Sequence, residues 1–282
     1  MLGPILCSRF YHRPVFLVGA GRSGTIALFR ALGTHPEILS IPGGEIPILM
    51  SIGRAASPLD HGKQKEYFLE QTKIPKQYYY SQLKRLCFES SVGPYYGYRK
   101  LIKTMIKSPS KYLRKRYWCV KTFPGQEAAQ GLLSLYPRAR FVYLVRNGIN
   151  VVHSRTKFQH FQDREFAEHC QTWSSAVTRF EYLLNFEAAV LVQHEELVED
   201  PGRVIQKICT HLAVSSDDSP ASYLKNTLVH SLSDEQTRES VDVKKIMDAR
   251  SPVYEDWAKE QQNTFKDICG NAMEKLKYEI PF

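Results

Sequence analysis

The sequence has no long apolar run. Val15 to Ala20 falls far short of the roughly 20 residues that cross a bilayer, and the N-terminus shows neither a leader-like apolar core nor an anchor. A cytoplasmic location with no membrane partner is therefore expected. Metal-ligand spacing is missing too. The six cysteines (Cys7, Cys87, Cys119, Cys170, Cys209 and Cys269) include no CxxC pair and no Cys/His cluster at zinc spacing. No metal is expected, and the thiols should be reduced. Repeats, low-complexity tracts and linkers are also lacking, which argues for one domain over residues 1–282. Acidic residues are in deficit, 29 against 38 Lys and Arg, a surplus that suits anionic ligands. Charge alone does not tell a nucleotide from nucleic acid. A basic, tyrosine-rich stretch is present, but no nucleic-acid module accompanies it, so nucleic acid is not an expected partner.

A hydrophobic share of 43% leaves ample material for a core. Four short apolar segments read as buried strands: Pro14 to Val18, Trp118 to Thr122, Arg140 to Val145, and Ala188 to Val192. Helical stretches alternate with them, at Ile26 to Leu32, Ala128 to Tyr136, from near Ile149, and Pro201 to Leu212. That alternation predicts an α/β fold with a central parallel sheet covered on both faces. Residues at about 49–117 read as a helical insertion after the first strand, rich in Tyr, Lys and Arg. Its aromatics suit either an acceptor pocket or an amphipathic layer with Tyr inward and Lys outward.

The first strand runs into Gly19-Ala20-Gly21-Arg22-Ser23-Gly24-Thr25 and then a helix. Successive backbone N–H groups and a helix N-terminus make such a turn an anion cradle. The glycine spacing matches a Walker A loop, but Thr25 and Ile26 stand where Lys and Ser/Thr would serve a magnesium triphosphate. The cation sits inside the loop instead, at Arg22. A second clamp follows the third strand, where Arg146 precedes Ser154 by eight residues. Such a pair suits a separate phosphate, the arginine forking two oxygens and the hydroxyl donating to another.

Arg22-Ser23-Gly24-Thr25 with His35-Pro36 downstream resembles the 5′-phosphosulfate segment of sulfotransferases that use 3′-phosphoadenosine 5′-phosphosulfate (PAPS). Arg146 to Ser154 resembles the 3′-phosphate segment of the same family. Two departures stand out: Ile26 replaces a second Thr, and Asn147-Gly148 replaces Asp-Pro. His194-Glu195-Glu196-Leu197 with Asp200-Pro201, and the end at Met273 to Tyr278, resemble structural segments of the family. The resemblance implies a P-loop-like three-layer α/β/α sandwich that binds PAPS through Arg22, Ser23, Gly24, Thr25, Arg146 and Ser154. Adenosine 3′,5′-bisphosphate (PAP) would be the product.

Sulfuryl transfer requires a base for the acceptor proton and charge stabilisation on the leaving nucleotide. Many members place a His two residues after a Lys; here the segment is Lys121-Thr122-Phe123, and Phe123 takes no proton. Another branch uses a Glu soon after the His-Pro turn, which points to Glu45 as general base. Lys121 is either a charge stabiliser or a surface lysine. His35 reads as a helix terminator and Glu37 as exposed, while Lys244 and Lys245 read as solvated or as part of a loop over the 3′-phosphate. The expected acceptor is a small molecule with a hydroxyl or amine. The alternatives are a small-molecule kinase and a catalytically silent PAPS-binding protein.

Overall fold

The computed structural model describes residues 9–40, 46–58, 62–107, 114–161, 163–230 and 253–282. Its centre is a five-stranded parallel sheet of β1 (Pro14–Val18), β2 (Ile38–Ser40), β3 (Tyr117–Lys121), β4 (Arg140–Val145) and β5 (Ala189–Gln193). The strands lie in the order β2-β3-β1-β4-β5. β1 is the middle strand, with Leu17 opposite Lys121 of β3 and Val18 opposite Tyr143 of β4.

Side chains alternate between the two faces, as the twofold repeat of a strand requires. Phe16, Val18, Trp118, Val120, Phe141, Tyr143 and Val145 enter one core. Val15, Leu17, Tyr117, Cys119, Val142, Leu144 and Val192 enter the other. The second face is covered by α1 (Thr25–Thr34), α9 (Pro201–Leu212) and α10 (Ser219–His230), with Leu28, Ile208 and Leu224 packed inward. Over the first face lie α2 (Ile48–Ala56), α5 (Gln126–Leu135), α6 (Gly148–Thr156), α7 (Phe166–Phe180) and α11 (Lys259–Lys275). The short α8 (His194–Glu199) follows β5 directly. This is the expected three-layer α/β/α arrangement.

Three local readings are corrected. Ile38–Ser40, to which the sequence assigns no element, is an edge strand paired with β3, too short for its alternation to show in sequence. The insertion consequently lies between β2 and β3, where α2 is followed by α3 (Gly62–Thr72) and α4 (Lys76–Lys107). Within it Tyr79 and Tyr80 are half-buried, whereas Tyr78 is exposed and Lys84 lies over the Tyr136 ring at 4.9 Å, so the simple Tyr-in, Lys-out layer fails there. Glu37, read as exposed, is largely covered: it pairs with Arg116 and accepts hydrogen bonds from Ser215. Among the described residues no helix is long and apolar enough to cross a membrane. The cysteines among them are unpaired and buried.

Candidate active site

The loops after β1, β3 and β4 meet at the C-terminal edge of the sheet, the edge where open α/β sheets bind ligands. In the loop after β1, Arg22 (φ 72°) and Gly24 (φ 85°) both lie in the left-handed region, one on either side of Ser23. Such alternation turns backbone N–H groups toward a common point. For Arg22 the conformation costs about 1–2 kcal/mol, which the surroundings must offset. Gly24 also admits no side chain, because a Cβ would sit 2.7 Å from the His194 ring. Gly24 caps α1 without a side-chain hydrogen bond, and the first turn of α1 holds no acidic residue. Its N–H groups and dipole are thus left for an anion.

The second segment grips the first. Arg146 Nη1 donates to the Arg22 carbonyl at 2.9 Å, and Arg22 Nε donates to Ser154 Oγ at 3.1 Å. The Arg22 guanidinium also lies 4.6 Å above the Phe158 ring. Because β1 and β4 are sheet neighbours, residues 124 and 132 positions apart come into contact.

Arg146 is 5% exposed and its Nε has no partner. Burial pushes this guanidinium down to about 10; Glu195 opposes the shift and Arg22 adds to it. Glu195 steadies the turn, accepting from the Asn147 amide at 3.0 Å and from the Tyr278 hydroxyl at 2.7 Å. Asn147 caps α6 through Ile149 N at 2.9 Å. Gly148 is required for packing, since a Cβ there would lie 2.6 Å from Trp173. The Asn-Gly pair thus serves as cap and packing contact.

At the end of β3, Lys121 is buried and its carbonyl accepts from Ile46 N at 3.4 Å. Phe123 stacks on Phe180 with centroids 6.1 Å apart, an apolar position and not a proton acceptor. Glu45, Lys244 and Lys245 lie outside the described residues.

Seven buried side-chain atoms among the described residues have no hydrogen-bond partner: Ser23 Oγ, Thr122 Oγ1, Gln130 Oε1, Arg146 Nε, Arg155 Nε, His169 Nδ1 and His194 Nδ1. Buried polar groups are normally paired. Ser23, Thr122 and Arg146 follow β1, β3 and β4, and His194 follows β5, so four of the seven gather at one edge and fit a polar, anionic ligand. Burial, with Arg146 adding to it, pushes the His194 imidazole down to about 3, which keeps it neutral.

The sequence reading missed several of these residues. His194 was assigned to a structural segment, and Arg155, Arg164 and His169 were not singled out. Arg155 adjoins Ser154, but Arg164 and His169 come from a loop and another helix, and no spacing links them.

Residues 14–218 match the family model described as the sulfotransferase family. A protein-tyrosine sulfotransferase of Drosophila melanogaster is 23% identical over 212 residues, which are 73% of this chain and 39% of that relative's length. The sulfotransferase domain of the Synechococcus PCC 7002 olefin synthase has a similar structure, with a TM-score of 0.53 at 19% identity, covering 95% of this chain and 96% of that one. A mouse sulfotransferase complexed with PAP gives a TM-score of 0.53 at 14% identity, covering 96% and 88%. At these identities the structural likeness is one of fold.

Proposed function

The chain belongs to the sulfotransferase family, and we propose that it moves the sulfuryl group of PAPS onto a hydroxyl or amine of a small-molecule acceptor. The observation that carries this reading is the interlock of the two anion segments, Arg146 Nη1 on the Arg22 carbonyl and Arg22 Nε on Ser154 Oγ. Two phosphate sites held at a fixed separation suit a nucleotide with phosphates at both 3′ and 5′ positions. The 5′ end takes the loop from Arg22 to Thr25 and the N-terminus of α1. Arg146 and Ser154 take the 3′-phosphate, and the unpartnered Arg146 Nε supports that assignment.

In the reaction a lone pair of the acceptor oxygen or nitrogen attacks sulfur. The new bond to sulfur forms as the bond from sulfur to the 5′-phosphate oxygen breaks, releasing PAP. Glu45 takes the acceptor proton. Ile46, the next residue in sequence, donates from its backbone N to the Lys121 carbonyl, so the chain that follows Glu45 is tied to the end of β3. Arg22 and Lys121 stabilise the negative charge that develops on the leaving oxygen. Lys121 is buried at the strand end, which favours the catalytic reading over the surface one.

The direct test is incubation with PAPS and a panel of phenols, alcohols and amines. Phenols come first, because the Drosophila relative is a protein-tyrosine sulfotransferase. The expected result is PAP and sulfated acceptor in equal amounts. Phosphorylated product from ATP, with no transfer from PAPS, would refute the reading.

A further inference from the structure

Beside the loop after β1, next to Arg22, stand two cations that neither phosphate site uses, Arg155 and Arg164. Arg155, in the last turn of α6, is 5% exposed, and its guanidinium lies 4.5 Å from the centre of the Phe161 ring. Arg164 approaches the same ring at 5.3 Å, and the Phe158 ring under Arg22 is 5.3 Å from that of Phe161. Three guanidiniums thus share one pair of aromatic rings. No carboxylate among the described residues forms an ion pair with Arg22, Arg155 or Arg164. Arg155 Nε and His169 Nδ1 are both buried without partners. Burial pushes Arg155 down from its ordinary value, and Arg164 and Arg22 push it further. His169 is likewise lowered by burial, then by Arg155 and Arg164, with Glu168 opposing the shift. Uncompensated buried charge is unfavourable, and an anion would relieve it.

The cluster adjoins the nucleotide segments without including Arg146 or Ser154. Arg155 follows Ser154 on the helix and is turned about 100° from it. Its Nη1 lies 3.7 Å from where a Cβ on Gly21 would be, against the exposed start of the loop. Arg22 is shared by both regions, its Nε on Ser154 and its guanidinium over the Phe158 ring. A molecule seated on Phe158 and Phe161 therefore has Arg22 within reach as well.

We propose that Arg155 and Arg164, with His169 behind them, form an anion subsite for the acceptor, which accordingly carries a carboxylate, sulfate or phosphate besides its reacting hydroxyl or amine. This inference rests on the sulfotransferase reading and names its substrate class. The two guanidiniums fork the oxyanion, and the phenylalanine rings cover the body of the acceptor. The reacting group is then directed toward Arg22.

The test uses the full chain saturated with PAP, so that both phosphate sites are filled. Inorganic sulfate is titrated in by calorimetry at constant ionic strength. Wild type is expected to bind one sulfate. Arg155→Gln should weaken it at least about tenfold, as loss of a charge-assisted contact implies. Arg164→Gln, at an exposed position that tolerates substitution, should weaken it less. PAP affinity should stay within about twofold in both variants. In the transfer assay, phenols with a carboxylate should outperform their uncharged amides in kcat/KM, and Arg155→Gln should abolish that preference. No sulfate uptake, or equal uptake by wild type and Arg155→Gln, would overturn the inference and leave the sulfotransferase reading standing. A parallel loss of PAP affinity would assign the cluster to the nucleotide's own phosphates and overturn it too. Failure of wild type to bind PAP would defeat the sulfotransferase reading and this inference with it.

Discussion

The two edges of the sheet are both rich in charge, yet they treat it in opposite ways. At the N-terminal edge Lys115, Arg116, Glu37, His35 and Ser215 each close on a partner. Lys115 Nζ donates to the carbonyls of His35 and Ile38 at 2.9 and 2.7 Å. Arg116 Nη1 donates to Glu37 Oε2 at 3.1 Å and to the Ala213 carbonyl at 2.8 Å. Glu37 Oε1 accepts from Ser215 N and Oγ at 2.8 and 2.6 Å. His35 Nδ1 accepts from Glu37 N at 3.0 Å, which leaves Nε2 to donate to the Ser215 carbonyl at 3.0 Å. At the C-terminal edge Ser23, Thr122, Arg146 and His194 keep buried atoms without partners. Charge is therefore a poor marker of a site in this protein. Unmet hydrogen-bonding capacity separates the edge that holds the fold together from the edge proposed to bind the nucleotide.

Substitutions at the two edges should accordingly separate function from stability. The largest effect is expected at Glu45. Glu45→Gln removes the proposed base and keeps the shape, so turnover at saturating substrate should fall by about 10²- to 10⁴-fold while PAPS affinity holds. Single-turnover and binding measurements check this, and a variant that keeps most of its activity would remove Glu45 from the mechanism. Next, Arg146→Ala should weaken PAP about tenfold to a hundredfold and leave adenosine 5′-monophosphate almost unaffected. Equal losses for the two nucleotides by calorimetry would show that Arg146 does not read the 3′-phosphate.

At the opposite edge Glu37→Ala strands the Ser215 and Arg116 donors. Stability should fall by about 1–3 kcal/mol with PAP affinity unchanged, as read by denaturant unfolding with and without ligand. Burial pushes the Glu37 carboxyl up, but hydrogen bonds from Ser215 and Arg116 outweigh it and hold the group below its ordinary value. Its stabilisation is therefore present above the unfolded carboxylate pKa of about 4.3 and is lost as pH falls through the folded value. Wild type and Glu37→Ala should converge in acid; a gap that persists there would contradict the role given to the carboxylate. The smallest effect is expected from Tyr278→Phe. Loss of its hydrogen bond to Glu195 loosens the support of the Arg146 turn, and PAP affinity should drop about two- to tenfold. No change would make Tyr278 a packing residue only.

Much of the sheet and the nucleotide segments was legible in the sequence, because both depend on local order. β4 and α9 fall where the apolar runs and Asp200-Pro201 place them, and β1 leads directly into Arg22 to Thr25. Residues that act through distant contacts were not legible. Glu37 was taken for a surface carboxylate because its partners Arg116 and Ser215 lie 79 and 178 positions away. Ile38–Ser40 is too short for periodicity to reveal a strand. The Arg155–Arg164–His169 group is assembled by a helix end, a loop and a second helix, and no single segment carries its signature.

The central claim is that the C-terminal edge is built for a nucleotide phosphorylated at both ends, and thermal unfolding in the presence of PAP or of ATP with Mg²⁺ tests it most directly. A ligand that binds only the folded chain stabilises it by about 2.7 kcal/mol at 100 times its Kd. PAP is predicted to raise Tm far more than Mg·ATP at equal concentration, since Thr25 and Ile26 offer neither the lysine nor the magnesium-binding hydroxyl that a triphosphate loop supplies. A larger rise with Mg·ATP would contradict the account.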